Sequence, residues 1–319
     1  MNKALRIVFA ISILCPLLAA AQAFPNKPIR LIVTFPPGGA TDVMARGLSV
    51  PLAKALGQPI VVDNRPGANA IIGMEACARS APDGYNYCMT NNDAIAFNPA
   101  LYAKLPYDPA KDLVAIAKVG DIEQIIVAHS SVAGTTLKQV IEESSRSVMT
   151  FSTFGNGSMG HLYVEWLNHN AGAKLVHVPY KGAGPALEAV FKGETKLSMF
   201  AVGAALPHLK NRTIKAVAFV DTKRSRHLPD VPTITEQGYD FVVRAWLGVF
   251  APRGIPGEIA QRMNRDISTA LTDPEFRQKF LAEQAIDAAP NSMEQFAEFI
   301  RADAVVAGTQ LRAANIRLD

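Results

Sequence analysis

The sequence predicts a two-lobed α/β protein whose parallel sheets are covered by helices. Three observations point there. Short runs rich in β-branched residues alternate with longer amphipathic stretches, the pattern of repeated strand–helix–strand units. The 319-residue chain is long enough for two lobes of ordinary domain size, each with its own core. Glycine-rich turns recur between a strand and the helix that follows it, where open α/β sheets expose their ligand sites.

The first 23 residues stand apart. Lys3 and Arg6 precede an apolar stretch from Ile7 to Leu18, and Ala21-Gln22-Ala23 has the small-x-small pattern of a signal-peptidase site. This predicts export to the periplasm with cleavage after Ala23, so that the mature chain begins at Phe24. As a membrane span the apolar run is short, and Pro16 interrupts it. Without Lys3 and Arg6, 30 basic residues face 28 acidic ones, a net charge of +2 with no Lys/Arg run. Nucleic acid is therefore not an expected partner. Cys15 leaves with the export segment. Cys77 and Cys88 remain, an even pair in an oxidising compartment, and read as a disulfide, with two buried free thiols as the alternative.

Along the mature chain, Ile29 to Phe35 reads as a strand stopped by Pro36-Pro37-Gly38-Gly39. Thr41 or Asp42 is placed to cap the next helix, whose apolar stripe is Met44, Leu48, Leu52 and Leu56. Pro51 is expected to kink or break that helix. The unit repeats as strand Ile60 to Asp63, loop Arg65 to Asn69, and a helix from about Ala70 to Arg79. Cys77 ends that helix and Cys88 lies in the following strand.

A third copy has strand Val148 to Thr153, loop Gly155 to Ser158, helix His161 to Asn168, strand Leu175 to Pro179 and helix Pro185 to Phe191. Further strands are expected at Leu197 to Val202 and Ile214 to Val220. Ile122 to Val127 and Phe241 to Phe250 are read as the two segments that cross between lobes. This divides the chain into residues 24–123 with 240–319 as one lobe and 124–239 as the other. Three C-terminal helices, the last opening on a Ser292/Gln295 capping box, should cover the first lobe.

Three strand-to-helix junctions carry glycine: Gly38-Gly39, Gly67-Ala68 and Gly155 to Ser158. A helix start leaves amides unpaired and partly positive, so opposed junctions of this kind suit an anion. Enzymatic and cofactor readings fare worse. Gly155-x-Gly157-x-x-Gly160 fits a dinucleotide fingerprint, but the stretch from Leu175 to Lys181 lacks the acid that would hold a ribose. No cofactor is expected. Ser158 and His161 lack an orienting acid, which leaves a hydrolase as the weaker reading. His161 and Glu165 lack a third metal ligand. His161, His169 and His177 are scattered over different elements.

The ordered strings Phe35-Pro36-Pro37-Gly38-Gly39-Ala40-Thr41-Asp42 and Val62-Asp63-Asn64-Arg65-Pro66-Gly67-Ala68 resemble the tripartite tricarboxylate transporter receptors, the Bug or TctC-type family. Asn98-Pro99-Ala100-Leu101-Tyr102, Leu105-Pro106-Tyr107-Asp108-Pro109, His177-Val178-Pro179-Tyr180-Lys181-Gly182 and Leu228-Pro229-Asp230-Val231-Pro232-Thr233 continue the resemblance over essentially the whole mature chain. It implies a type II periplasmic-binding-protein fold, two Rossmann-like lobes joined by two crossing strands and closing on a ligand. It also implies a non-enzymatic, monomeric receptor that captures a small mono-, di- or aromatic carboxylate and delivers it to membrane permease subunits. A ligand sensor docking on a sensor kinase is the alternative.

Carried over residue by residue, the resemblance implies one carboxylate cradle at Phe35, Pro37, Gly38, Gly39, Thr41 and Asp42. Gly67, Ala68 and Asn69, with Asn91, Asn92 and Asp93, would line the same lobe. Gly155, Asn156, Gly157, Ser158 and His161, with Tyr180, Lys181 and Gly182, would face them. Two departures stand out. Relatives often read Gly-Ala-Gly-Gly where this chain has Gly67-Ala68-Asn69-Ala70. Ala201 stands where an aspartate is common, which disfavours an amino-acid ligand and predicts an uncharged or aromatic part beside it.

Overall fold

The computed structural model describes residues 24–288 and 290–313, so the expected export segment lies outside the described residues. Two sheets form. The first has the order β11-β4-β10-β3-β1-β2 and the second β7-β6-β8-β5-β9. In the first, β1 (Ile29–Val33) pairs in parallel with β2 (Ile60–Asn64) and β3 (Asn86–Asn91). Its branched apolar side chains are almost all buried, as a strand covered on both faces requires. β4 (Leu113–Ile122) belongs to the first sheet and β5 (Gln124–His129) to the second, so the chain passes from one sheet to the other at Glu123. In the second sheet, β6 (Met149–Thr153) lies parallel to β7 (Leu175–Pro179) and β8 (Leu197–Ala201), and β9 (Ile214–Phe219) pairs with β5. The chain returns through residues 241–244 into β10 (Ala245–Pro252), antiparallel between β3 and β4, and β11 (Ile286–Asp287) closes the edge.

Helices cover both faces of each sheet. α1 (Ala40–Leu56) follows β1, and Met44, Leu48, Leu52 and Leu56 are buried as the stripe predicts. Pro51 does not break it. The helix runs unbroken through all 17 residues, since the core contacts of Leu48 and Leu52 on either side offset the roughly 3 kcal/mol that an interior proline costs. The cap also differs from the expectation. The helix starts after Gly39, and Asp42, in its first turn, reaches back to accept the Gly38 N–H at 3.0 Å.

α2 (Ile71–Ala78) follows β2 and is tied to β3 by the Cys77–Cys88 disulfide, Cα atoms 5.9 Å apart, beneath the buried side chain of Trp246. α3 (Leu137–Ser144), α4 (Met159–Asn170), α5 (Ala183–Phe191) and α6 (Val202–Lys210) flank the second sheet. α7 (Gly257–Thr272) packs on the first. α8 (Met293–Ala313) begins with the expected capping box: Ser292 N–H to Gln295 Oε1 at 2.8 Å, and Gln295 N–H to Ser292 Oγ at 3.2 Å. It reaches further than expected. Trp246 Nε1 donates to Asp303 at 2.8 Å, while Ala307 and Leu311 join the core of the second lobe. Among the described residues no helix is long and apolar enough to cross a membrane.

Candidate functional site

Each sheet has one place where neighbouring strands send their connections in opposite directions, and a crevice opens there at the strands' carboxyl ends. In the first sheet it lies between β1 and β3, followed by residues 35–39 and by a π-helical turn, Asp93–Phe97. In the second it lies between β6 and β8, followed by residues 154–158 and by α6. The two crevices face each other.

Between them is a cavity of about 160 Å³. From the first lobe it is lined by Phe35, Pro37, Gly38, Gly39 and Thr41, and by Asn91 and Asp93. From the second come Phe154, Met159, Gly182, Leu187, Phe200 and Ala201. Four helices start at its wall: α1 after Gly39, α4 after Ser158, α5 after Gly182 and α6 after Ala201. None of the four caps receives a side-chain hydrogen bond. Elsewhere Thr136 caps α3 and Ser292 caps α8, while α2 and α7 also start without a side-chain cap. The first amide of α4 goes to the Asp93 side chain and that of α6 to the Glu123 carbonyl at 2.8 Å; the helix starts together give the wall positive partial charge. No Lys, Arg or His lines it. The remaining wall is mostly apolar, with Ala201 only 9% exposed.

A second, more open space of about 810 Å³ lies beyond a constriction formed by Phe35, Pro36, Phe154 and Gly182. Gly67, Ala68, Asn69, Gly155, Asn156, Tyr180 and Lys181 line it. The expected site residues are thus divided between two chambers of one cleft. The lobes touch across it. Asn69 Nδ2 donates to the Gly157 carbonyl at 2.9 Å, and Gly182 has φ +107° and sits so close to Pro36 that a Cβ there would fall 2.8 Å from the proline Cγ.

Five expected residues line neither chamber. Asn92 is fully buried, and its Oδ1 accepts the Trp246 N–H at 3.4 Å, because the π-helical turn directs it into the first lobe. Asp42 serves the loop itself. Burial raises its pKa, but hydrogen bonds from Arg46, the Gly38 N–H and Asn64 outweigh that and hold the carboxyl below its usual range. Ser158 Oγ donates to the Gly155 carbonyl at 2.7 Å, while His161 Nδ1 accepts the Gly157 N–H at 3.1 Å. The hydroxyl and the imidazole are thus each engaged with backbone, and Gly157 meets the cleft through its carbonyl. His161 stacks on His177 with centroids 4.0 Å apart. Burial, with His161 next to it, pushes His177 down to about 4.

Asp93 differs from the rest. It is only 3% exposed, and its Oδ1 has no hydrogen-bond partner. Burial pushes its pKa up to about 7, against hydrogen bonds from Asn91 and from the Met159 N–H at the start of α4. Sequence reasoning missed several wall residues, among them Ile122, Gln124, Leu187, Ala245 and Gln284. Ile122 and Gln124 flank Glu123, so the crossing segment itself was a usable signal. Among the described residues no group of three or more His, Cys, Asp or Glu is placed to hold a metal ion.

A family model described as tripartite tricarboxylate transporter family receptor matches residues 44–316. The protein BugT of Bordetella pertussis is 37% identical over 270 residues, 83% of each chain. Rpa4515 of R. palustris, solved with adipate, superposes with a TM-score of 0.87 at 26% identity, over 92% of this chain and 99% of that one. MatC of Rhodopseudomonas palustris, solved with bound malate, superposes with a TM-score of 0.84 at 28% identity, over 90% of this chain and all of that one.

Proposed function

Because the chain belongs to the tripartite tricarboxylate transporter receptor family, whose members are periplasmic binding proteins and not enzymes, we propose that it captures a small organic carboxylate in the interlobe cleft and delivers it to the membrane subunits of a tripartite transporter. Residues 24–123 and 240–319 form one jaw in this reading and 124–239 the other, with motion about Glu123 and residues 241–244, and the end of α8 around Ala307 and Leu311 packs across onto the second jaw. Export with cleavage after Ala23 belongs to the same reading.

One observation carries the proposal: four helices begin at a single cavity, none capped by the side chain of its own N-cap residue, and no Lys, Arg or His lines that cavity. Such a wall holds a carboxylate through peptide N–H groups, with water bridges that cost little to order. Phe154, Met159, Leu187, Phe200 and Ala201 suit an uncharged carbon chain or ring on the rest of the ligand. Adipate, held by one structural relative, carries a four-carbon apolar chain between its two carboxylates, and malate, held by another, is a shorter, hydroxylated dicarboxylate to compare with it.

Native mass spectrometry of freshly purified protein, followed by thermal-shift measurement with adipate, malate and benzoate, tests the reading. We expect a bound carboxylic acid, or a raised unfolding midpoint with at least one of the three. A chain that carries no acid and is stabilised by none of them is not a carboxylate receptor.

A further inference from the structure

Asp93 poses an electrostatic problem. Its Oδ1 is buried and unpartnered at the wall of a cavity built to attract anions. An ionised Asp93 beside an incoming carboxylate would place two like charges in a desolvated space, which disfavours both. The side chain itself also accepts from the Met159 N–H, so when ionised it competes for one of the open helix starts.

The groups around Asp93 supply no compensating cation. Tyr102 and Tyr107 both feel its field, and burial raises both phenols, so they stay neutral. His161, two residues along α4 from Met159, is lowered by burial against the pull of Glu165. The nearest amide side chain, that of Asn91, is uncharged.

We propose that Asp93 takes part in capture as the neutral acid, donating its one proton to an oxygen of the bound carboxylate. The inference deepens the carboxylate reading and rests on it. The proton comes from solvent. With the cavity empty, Asp93 releases it near pH 7. Above that pH, each capture event takes one proton back up. Affinity therefore falls as pH rises through the empty-cavity pKa.

The test is isothermal titration of adipate and malate between about pH 6.5 and 8.5, where both acids remain ionised. Wild-type protein is compared with Asp93→Ala and Asp93→Asn, each first checked for a cooperative unfolding transition. The expected wild-type affinity falls by about tenfold per pH unit above 7. Asp93→Ala, with no donor, binds weakly at every pH. Asp93→Asn, with an N–H in place of the acidic proton, recovers binding at high pH, and its affinity does not change with pH. A wild-type affinity that is flat with pH overturns the proposal without any variant. So does an Asp93→Asn protein as weak as Asp93→Ala, which marks the side chain as an acceptor for a ligand hydroxyl or ammonium. If neither acid binds wild type at any pH, benzoate does not bind either and the purified protein carries no acid, the carboxylate reading fails and takes this one with it. Binding without a pH slope removes only the role of Asp93.

Discussion

The side-chain amide of Asn69 reaches from one lobe to the Gly157 carbonyl of the other, 2.9 Å away, while also donating to Asn98 Oδ1 at 2.9 Å. It is a strap across the cleft, held at its base by Asn98 Nδ2, which donates to the Asn69 carbonyl at 2.8 Å. Asn69 has φ +47°, a conformation that asparagine tolerates better than most residues. Asn69→Gly removes the strap without adding backbone strain. Its expected cost is about 1 kcal/mol in closed-state stability, read by stopped-flow fluorescence as release several-fold faster with capture little changed.

Gly182→Ala tests whether the lobes must approach as closely as they do. A Cβ at this position meets Pro36 and also strains the backbone at φ +107°. We expect at least tenfold weaker binding, because both effects oppose the closed arrangement. Pro36→Ala removes the contact and leaves the backbone term. Isothermal titration of the double variant should therefore recover part of the loss, and a double variant no better than Gly182→Ala alone would assign the whole effect to backbone strain.

The fold was legible wherever a strand and its helix declared themselves by periodicity. Leu175–Pro179 is the strand that the run of alternating residues predicted, and the stripe of α1 is buried as its spacing requires. Pro51 misled because a local rule was weighed without the core contacts that override it. The site was legible at its glycine turns and much less so at its walls. Leu187, Ala245 and Gln284 come from separate elements and carry no local signal, because only the packed fold brings them together. Asn92 was expected at the site and lines neither chamber, for the opposite reason. Three polar residues in a row looked alike, and the π-helical turn sends the middle one inward and leaves Asn91 and Asp93 at the cavity.

The stacked pair His161 and His177 predicts acid sensitivity. Burial first, and then the neighbouring His161, holds His177 at about 4, below its unfolded value near 6.5. The unfolded state thus binds more protons between those values. The stability tied to this group is complete above about 6.5 and declines as pH falls toward 4. Asp93 titrates with the opposite sign, so the useful comparison is with His177→Gln. The difference in unfolding free energy between wild type and variant should shrink by about 1–2 kcal/mol from pH 7 to pH 4.5, followed by thermal denaturation.

The Cys77–Cys88 bridge closes a short loop, its cysteines 11 positions apart in sequence, and both residues are fully buried. Reduction, or Cys77→Ala with Cys88→Ala, should lower stability by about 2–3 kcal/mol. Differential scanning calorimetry reads this as a lower midpoint. Of the two elements the bridge joins, only β3 reaches the cavity, at Asn91, so ligand affinity measured well below that midpoint should stay within a few-fold of wild type.

A binding wall made of helix starts has a genetic corollary. Peptide N–H groups are present whichever side chain occupies the position, so in the proposed reading single-codon changes around Gly39 or Ala201 leave the acid-gripping groups in place as long as the turns keep their shape, whereas Gly182 is held by its contact with Pro36. Divergence then acts on the apolar walls and on isolated side chains such as Asp93. Gene duplicates of such a scaffold can take on new cargoes without first losing the old handhold.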